Sequence, residues 1–135
     1  MRRDALDEAR RWFEQATEDL KWATLLTKEG GFHIACFLAQ QVAEKAVKAF
    51  LYSQGESPVL GHSVAALVQR AGEFNETIAG RATSWAILDG YYIPTRYPNG
   101  LPDSIPARVY NREAAEQAVK LAKDAVDIIG HILGL

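Results

Sequence analysis

From Phe32 to Gln54 the chain is apolar on nearly every side of a helical wheel, interrupted by a single polar stripe. A helix that is hydrophobic all round has to be covered all round, so this segment must be the centre of a helical bundle. Alanines at 35, 39, 43, 46 and 49 allow neighbouring helices to approach closely. The stripe consists of Gln40, Gln41, Glu44, Lys45 and Lys48, which recur at i, i+4 spacings and share one face. Charged groups are not buried without partners, because an unpaired buried charge is costly. The stripe therefore faces water or lines a cleft that another element completes.

The flanking segments supply the cover. Leu6, Ala9, Phe13, Ala16, Leu20, Ala23 and Leu26 fall at spacings of three and four, one face of an amphipathic helix from Asp4 to about Lys28. Asp4 is placed to cap it and Gly30-Gly31 to stop it. Short helices are expected from Ser63 to Ala71 and from Glu76 to Asp89. A long last helix should run from an Asn111 cap to about Ile132, with Ala114, Ala118, Leu121, Ala125, Ile128 and Ile132 inward. No segment alternates as a strand would. The expected fold is all-α, an up-and-down bundle of four to five helices forming one domain over residues 1–135.

Composition narrows the function classes. With 135 residues, 48% of them hydrophobic, the chain can build a core without disulfide or metal staples. Its longest apolar run, Ile34 to Ala39, is far too short to cross a bilayer. No apolar stretch follows Arg2 and Arg3, so no secretory signal is expected. The single cysteine, Cys36, cannot form an intrachain disulfide or a Cys-ligated zinc site, and a cytoplasmic location follows as the expectation. Fifteen Lys and Arg against 17 Asp and Glu give a net charge of -2, so binding of long DNA is not expected.

Between Tyr91 and Tyr110, prolines at 94, 98, 102 and 106 recur every four residues, a spacing no helix interior tolerates. A long Pro/Tyr-rich loop before the last helix is expected, and loops of that length in compact domains are usually functional or disordered. Its four tyrosines favour an ordered, functional loop. Arg96 stands between Pro94 and Pro98 and beside Tyr97. A guanidinium can hold a phosphate or carboxylate through paired hydrogen bonds, and tyrosine can stack on a base. The alternative is that Arg96 pins the loop to a helical carboxylate such as Glu44 or Asp89. His62, at the entry to a helix, either caps it or meets a phosphate.

Other catalytic patterns are missing. There is no glycine-rich phosphate loop, no histidine pair at i, i+4 for a metal, and no Gly-x-Ser-x-Gly elbow. Cys36 lies in the most apolar helix, where a thiol is ordinary core.

The run Ala16-x-x-Asp19-Leu20-x-x-Ala23-x-x-Leu26, the run Cys36-Phe37-Leu38-Ala39-Gln40-Gln41-Val42-Ala43-Glu44-Lys45-Ala46-Val47-Lys48-Ala49, the His62-Ser63 linker and the Asp89-x-x-Tyr92-x-x-x-Arg96-Tyr97-Pro98 loop together resemble HEPN-domain proteins. The resemblance covers nearly the whole chain in the same order. It implies a compact helical bundle, often a homodimer. It also implies a minimal nucleotidyltransferase as partner in a toxin–antitoxin-like pair, and a nucleotide as ligand. Many such proteins are metal-independent ribonucleases that carry Arg, four to six residues, then His, near the start of the last helix. Here no arginine is followed by a histidine at that spacing, and His131 is 19 residues beyond Arg112. The general acid/base of that motif is thus missing.

The expectation is a non-catalytic HEPN module with a cleft between the second helix and the proline loop. Arg96 would hold phosphate, Lys48 and His62 would add positive charge beside Glu44, and Tyr92 and Tyr97 would stack or donate hydrogen bonds. No catalytic residue, metal ligand or cofactor is assigned. The alternatives are a ribonuclease toxin in which His62 replaces the missing histidine, and a structural dimerisation protein. Trp12 and Trp22, both off the apolar stripe, would serve the last of these.

Overall fold

The computed structural model describes residues 4–135; Arg2 and Arg3, part of the signal-sequence reading, lie outside the described residues. Within them the regular structure is all helical, with no strand. Helix α1 (Ala5–Glu29) begins where Asp4 accepts the backbone N–H of Leu6 and ends at Gly30, whose φ of 93° is the left-handed conformation that glycine adopts freely. Helix α2 (Phe32–Ser53) follows almost at once. The short gap forces α2 to run antiparallel to α1, and an Asp19–Lys45 ion pair and a Trp12–Tyr52 stack bridge the two.

The second helix is the bundle centre, as its all-round apolarity requires. Ala35, Ala39, Ala43, Ala46 and Ala49 are fully buried, and so are Val42, Val47 and Leu51. Helix α7 (Arg112–Leu133) packs on both α1 and α2, its start capped by Asn111 through the N–H of Ala114. It runs antiparallel to α1, with Arg112 beside Thr27 at one end and Gly130 beside Phe13 at the other. A Cβ on Gly130 would sit 2.9 Å from the Phe13 ring, so this glycine sets how closely the two helices meet. The alanines at 115, 118, 122 and 125 are buried along the same seam.

The middle of the chain is more broken than its hydrophobic pattern suggests. Helix α3 (Val64–Gly72) is capped by Ser63, which accepts the N–H of Ala66. The single helix expected from Glu76 to Asp89 is instead α4 (Glu76–Ala79), α5 (Ala82–Ala86) and a 3-10 turn from Ile87 to Tyr91. Gly80 and the Thr83-Ser84 pair are weak helix formers, and only Ile78, Trp85 and Leu88 anchor this stretch in the core. The indole N–H of Trp85 donates to Asp124 of α7 at 2.9 Å, satisfying the one polar atom of a fully buried ring.

The proline loop contains a 3-10 turn at Pro98–Gly100 and a one-turn helix, α6 (Pro106–Val109). Both begin on a proline, which suits the first helical position. The loop is fastened at both ends. Tyr91 and Tyr110 meet edge to face, 5.9 Å between ring centres. Asp89 accepts three hydrogen bonds from the start of α3: the Ser63 hydroxyl at 2.9 Å and the N–H groups of Val64 and Ala65 at 2.6 and 3.0 Å. A carboxylate lent from another element thus caps α3.

Replacing Asp89 with alanine should lower folding stability by about 1–3 kcal/mol, the range for losing a cap with charged hydrogen bonds. Asp89→Asn should lose less. Urea unfolding of the two variants checks the order, and equal loss would mean that the charge contributes nothing.

Candidate functional site

The polar stripe of α2 is mostly buried. Glu44 and Lys48 are only 3% and 5% exposed, and Gln40 is fully buried. The Lys48 ammonium donates to Glu44 Oε2 at 3.1 Å and lies 5.3 Å from the centre of the Trp12 ring. Lys48 thereby has both a counter-charge and an aromatic face. Gln40 Nε2 donates to the His62 carbonyl at 2.8 Å and reaches Glu44 Oε1 at 3.3 Å. Gln41 Nε2 donates to Gln40 Oε1 at 2.7 Å. Lys45 turns away to Asp19 on α1. Among the described residues no buried side-chain nitrogen or oxygen lacks a partner.

His62 and the proline loop complete the stripe from above. The Nδ1 of His62 is 3.3 Å from both oxygens of Glu44. Its ring stacks on Tyr92 at 5.1 Å and 17°, while most of the side chain stays exposed. Tyr92 in turn leans on Phe37 of α2, 6.2 Å between centres. The Asp89 cap makes this meeting possible, because it ties the residue after His62 to the turn that leads into Tyr92.

Arg96 is held by aromatic rings. Its guanidinium carbon lies 4.6 Å from the centres of both Phe37 and Tyr92 and 5.3 Å from Tyr97. Each contact is in the range of a favourable cation–π interaction. Its Nε donates to the Tyr92 carbonyl at 2.7 Å, which fixes the plane of the fork. Among the described residues no carboxylate pairs with Arg96, and its two terminal amino groups have no protein acceptor. The alternative ion pair with Glu44 or Asp89 does not form, because Glu44 is taken up by Lys48 and His62 and Asp89 by the start of α3.

Of the six candidate residues, Arg96, Tyr92 and His62 share one stack, Tyr97 flanks it half-exposed, and Glu44 lies directly under His62. Lys48 belongs to the layer beneath and presents no free charge to the surface. Phe37 and Asp89 matter more than the sequence suggested. Phe37 lies two turns before Glu44 on the same face, but an apolar residue on an apolar helix gives no signal of its own.

Cys36 is fully buried, and burial pushes its thiol up to about 11, so it stays protonated and inert. Burial likewise raises Tyr91 and Tyr110, with a smaller contribution from the nearby Cys36. These three groups belong to the packing under the loop. A groove of about 610 Å³ lies elsewhere, along α1 between Glu8, Trp12, Glu18 and Lys45, and none of the six candidates lines it. Among the described residues no group of three His, Cys, Asp or Glu side chains is close enough to hold a metal ion, and no helix is long and apolar enough to cross a membrane.

An all-helical bundle of this arrangement has counterparts of known structure. The HEPN domain family model matches residues 9–132, and the chain belongs to that family. It is similar to TT1696 from Thermus thermophilus, whose crystal structure superposes with a TM-score of 0.86 at 36% identity, covering 92% of this chain and 97% of that one. It is also similar to ST0689, an archaeal HEPN homologue, with a TM-score of 0.76 at 30% identity over 98% and 99% of the two chains. No curated protein matches.

Glu44→Ala strands the buried Lys48 charge and should cost about 3–5 kcal/mol, whereas replacing the pair together by Leu and Met should cost far less. Chemical unfolding of the single and double variants checks this. A double variant as unstable as Glu44→Ala would show that the pair's charges are not what matters.

Proposed function

We propose that this HEPN domain is a non-catalytic module that binds a nucleotide by its phosphate at Arg96. The observation that carries the reading is the guanidinium itself, clamped by Phe37, Tyr92 and Tyr97 with both terminal amino groups unclaimed. A fixed, unpaired fork on the surface fits an oxyanion through two parallel hydrogen bonds, and little side-chain freedom remains to be lost on binding. Tyr97, half-exposed beside it, offers a face for a base. His62 adds a polar nitrogen at the rim, and Glu44 with Lys48 supports the floor without touching the ligand.

The protein partners in this reading are a second copy of the chain and a minimal nucleotidyltransferase, as in a toxin–antitoxin-like pair. Trp22, Leu25 and Ile34 are each exposed by more than two fifths and supply apolar surface for such contacts. A reducing cytoplasm suits the lone buried thiol.

Calorimetry with ATP, GTP and AMP tests the binding. Wild type should bind at least one of them. Arg96→Ala should weaken that binding at least tenfold, the loss of a charged hydrogen-bond pair, and Arg96→Lys should recover only part. Absence of binding by wild type, alone and with a nucleotidyltransferase partner, contradicts the reading.

One observation favours a second reading, a metal-independent ribonuclease. His62 and Arg96 both contact the Tyr92 ring, so an acid/base group and a phosphate holder share one neighbour without the family's usual spacing. His62 would take the proton of a 2′-hydroxyl as its oxygen attacks phosphorus, and the departing 5′-oxygen would take a proton from water. Total RNA incubated with wild type should then be cut, and His62→Ala and Arg96→Ala should each stop the cutting. Intact RNA with wild type leaves the binding reading alone.

A further inference from the structure

We infer that Glu44 is a positioning residue that holds neutral His62 as the Nδ1–H tautomer, so that the site selects a ligand carrying a hydroxyl donor next to its phosphate, a ribonucleotide. The inference deepens the phosphate-binding reading and rests on it for the ligand, but not for the tautomer.

Glu44 sits between the Lys48 ammonium and His62 and is nearly inaccessible to water. It faces the Lys48 ammonium as a carboxylate, and an ionised carboxylate only accepts hydrogen bonds. The ring nitrogen of His62 that faces it is Nδ1, placed evenly 3.3 Å from both oxygens. A bare Nδ1 there would set two lone pairs against each other. Nδ1 must therefore carry the hydrogen, and in the neutral ring Nε2 is left bare.

Geometry then decides what Nε2 meets. The ring is fixed in plane by its stack on Tyr92 and tied at its backbone by Gln40, which takes the His62 carbonyl. Nδ1 faces the α2 floor, so Nε2 points outward, where most of the side chain is exposed. With the ring neutral, the rim of the site thus offers an acceptor at His62 and a cationic donor fork at Arg96, both against the Tyr92 ring. A bare phosphate satisfies only the fork. A ribose phosphate satisfies both, its phosphate on Arg96 and a sugar hydroxyl donating to Nε2. A ligand with an anion but no donor leaves Nε2 unmatched, and a missing partner is where hydrogen-bonding sites discriminate most.

Two measurements test this, and they fail separately. Long-range proton–nitrogen NMR of the 15N-labelled protein at about pH 8, where imidazole is ordinarily neutral, reads the tautomer directly, with His62→Gln assigning the signal. His62 should show the Nδ1–H pattern, and Glu44→Gln, whose amide can also donate, should move it toward Nε2–H while circular dichroism stays unchanged. An Nε2–H ring in wild type, or no change in Glu44→Gln, overturns the inference. In the second measurement, AMP should bind about tenfold more tightly than 2′,3′-dideoxy-AMP, one neutral hydrogen bond's worth. His62→Phe, which keeps the stack, should erase the difference. Equal binding of the two by wild type overturns the hydroxyl requirement. Binding of neither, with the Nδ1–H ring in place, overturns the phosphate reading and the ligand requirement with it, leaving Glu44 with a purely structural hold on His62.

Discussion

A carboxylate in the middle of an apolar helix organises this protein. Glu44 is buried in the most hydrophobic segment of the chain, and a charge in that place is tolerable only with its partners in position. Lys48 supplies the counter-charge, Gln40 and His62 supply hydrogen bonds, and Trp12 covers the ammonium. The consequence is geometrical. The linker before α3 is brought down onto the stripe because Gln40 and Glu44 require it there. The loop that follows α5 has to meet the linker because Asp89 caps α3. Two segments far apart in sequence are thereby pressed together over one helix face.

That arrangement gives the surface its character. Energetically the buried pair is not a large net gain, since a well-packed apolar replacement would serve about as well. What it provides is a fixed direction for His62 and, through Tyr92, for Arg96. Arginine stays charged at any pH the protein meets, and here it is stacked instead of paired. A guanidinium already shielded on its faces but open at its ends is poised for an anion. The alanine-rich seams of α2 and α7 do the complementary work, holding a rigid frame beneath it.

Much of this was legible in the amino-acid order. The all-round apolarity of 32–54 marked the central helix, and Asp4 and Asn111 cap the helices they were expected to cap, whereas the cap of α3 is Ser63 and not the neighbouring His62. These features are local, and local chemistry writes itself into spacing. The break between α4 and α5 was not legible, because Ile78, Trp85 and Leu88 suit one irregular helix as well as two short ones. The partner of Arg96 was also hidden. Charge complementarity suggests a carboxylate, yet Glu44 and Asp89 were already committed to other groups by contacts that exist only in three dimensions. Aromatic neighbours such as Phe37 carry no mark in sequence that separates a ring under a guanidinium from a ring in the core. The stripe of Gln40, Glu44 and Lys48 was visible as a stripe, but whether it met water or a cleft depended on a linker fourteen residues past Lys48.

The most direct measurement is a crystal structure of the protein grown with AMP. The account places the phosphate on the terminal amino groups of Arg96, with the sugar toward His62 and the base against Tyr97. Nucleotide density in the groove between Glu8 and Lys45 instead, or an Arg96 fork left bare at saturating nucleotide, would contradict it.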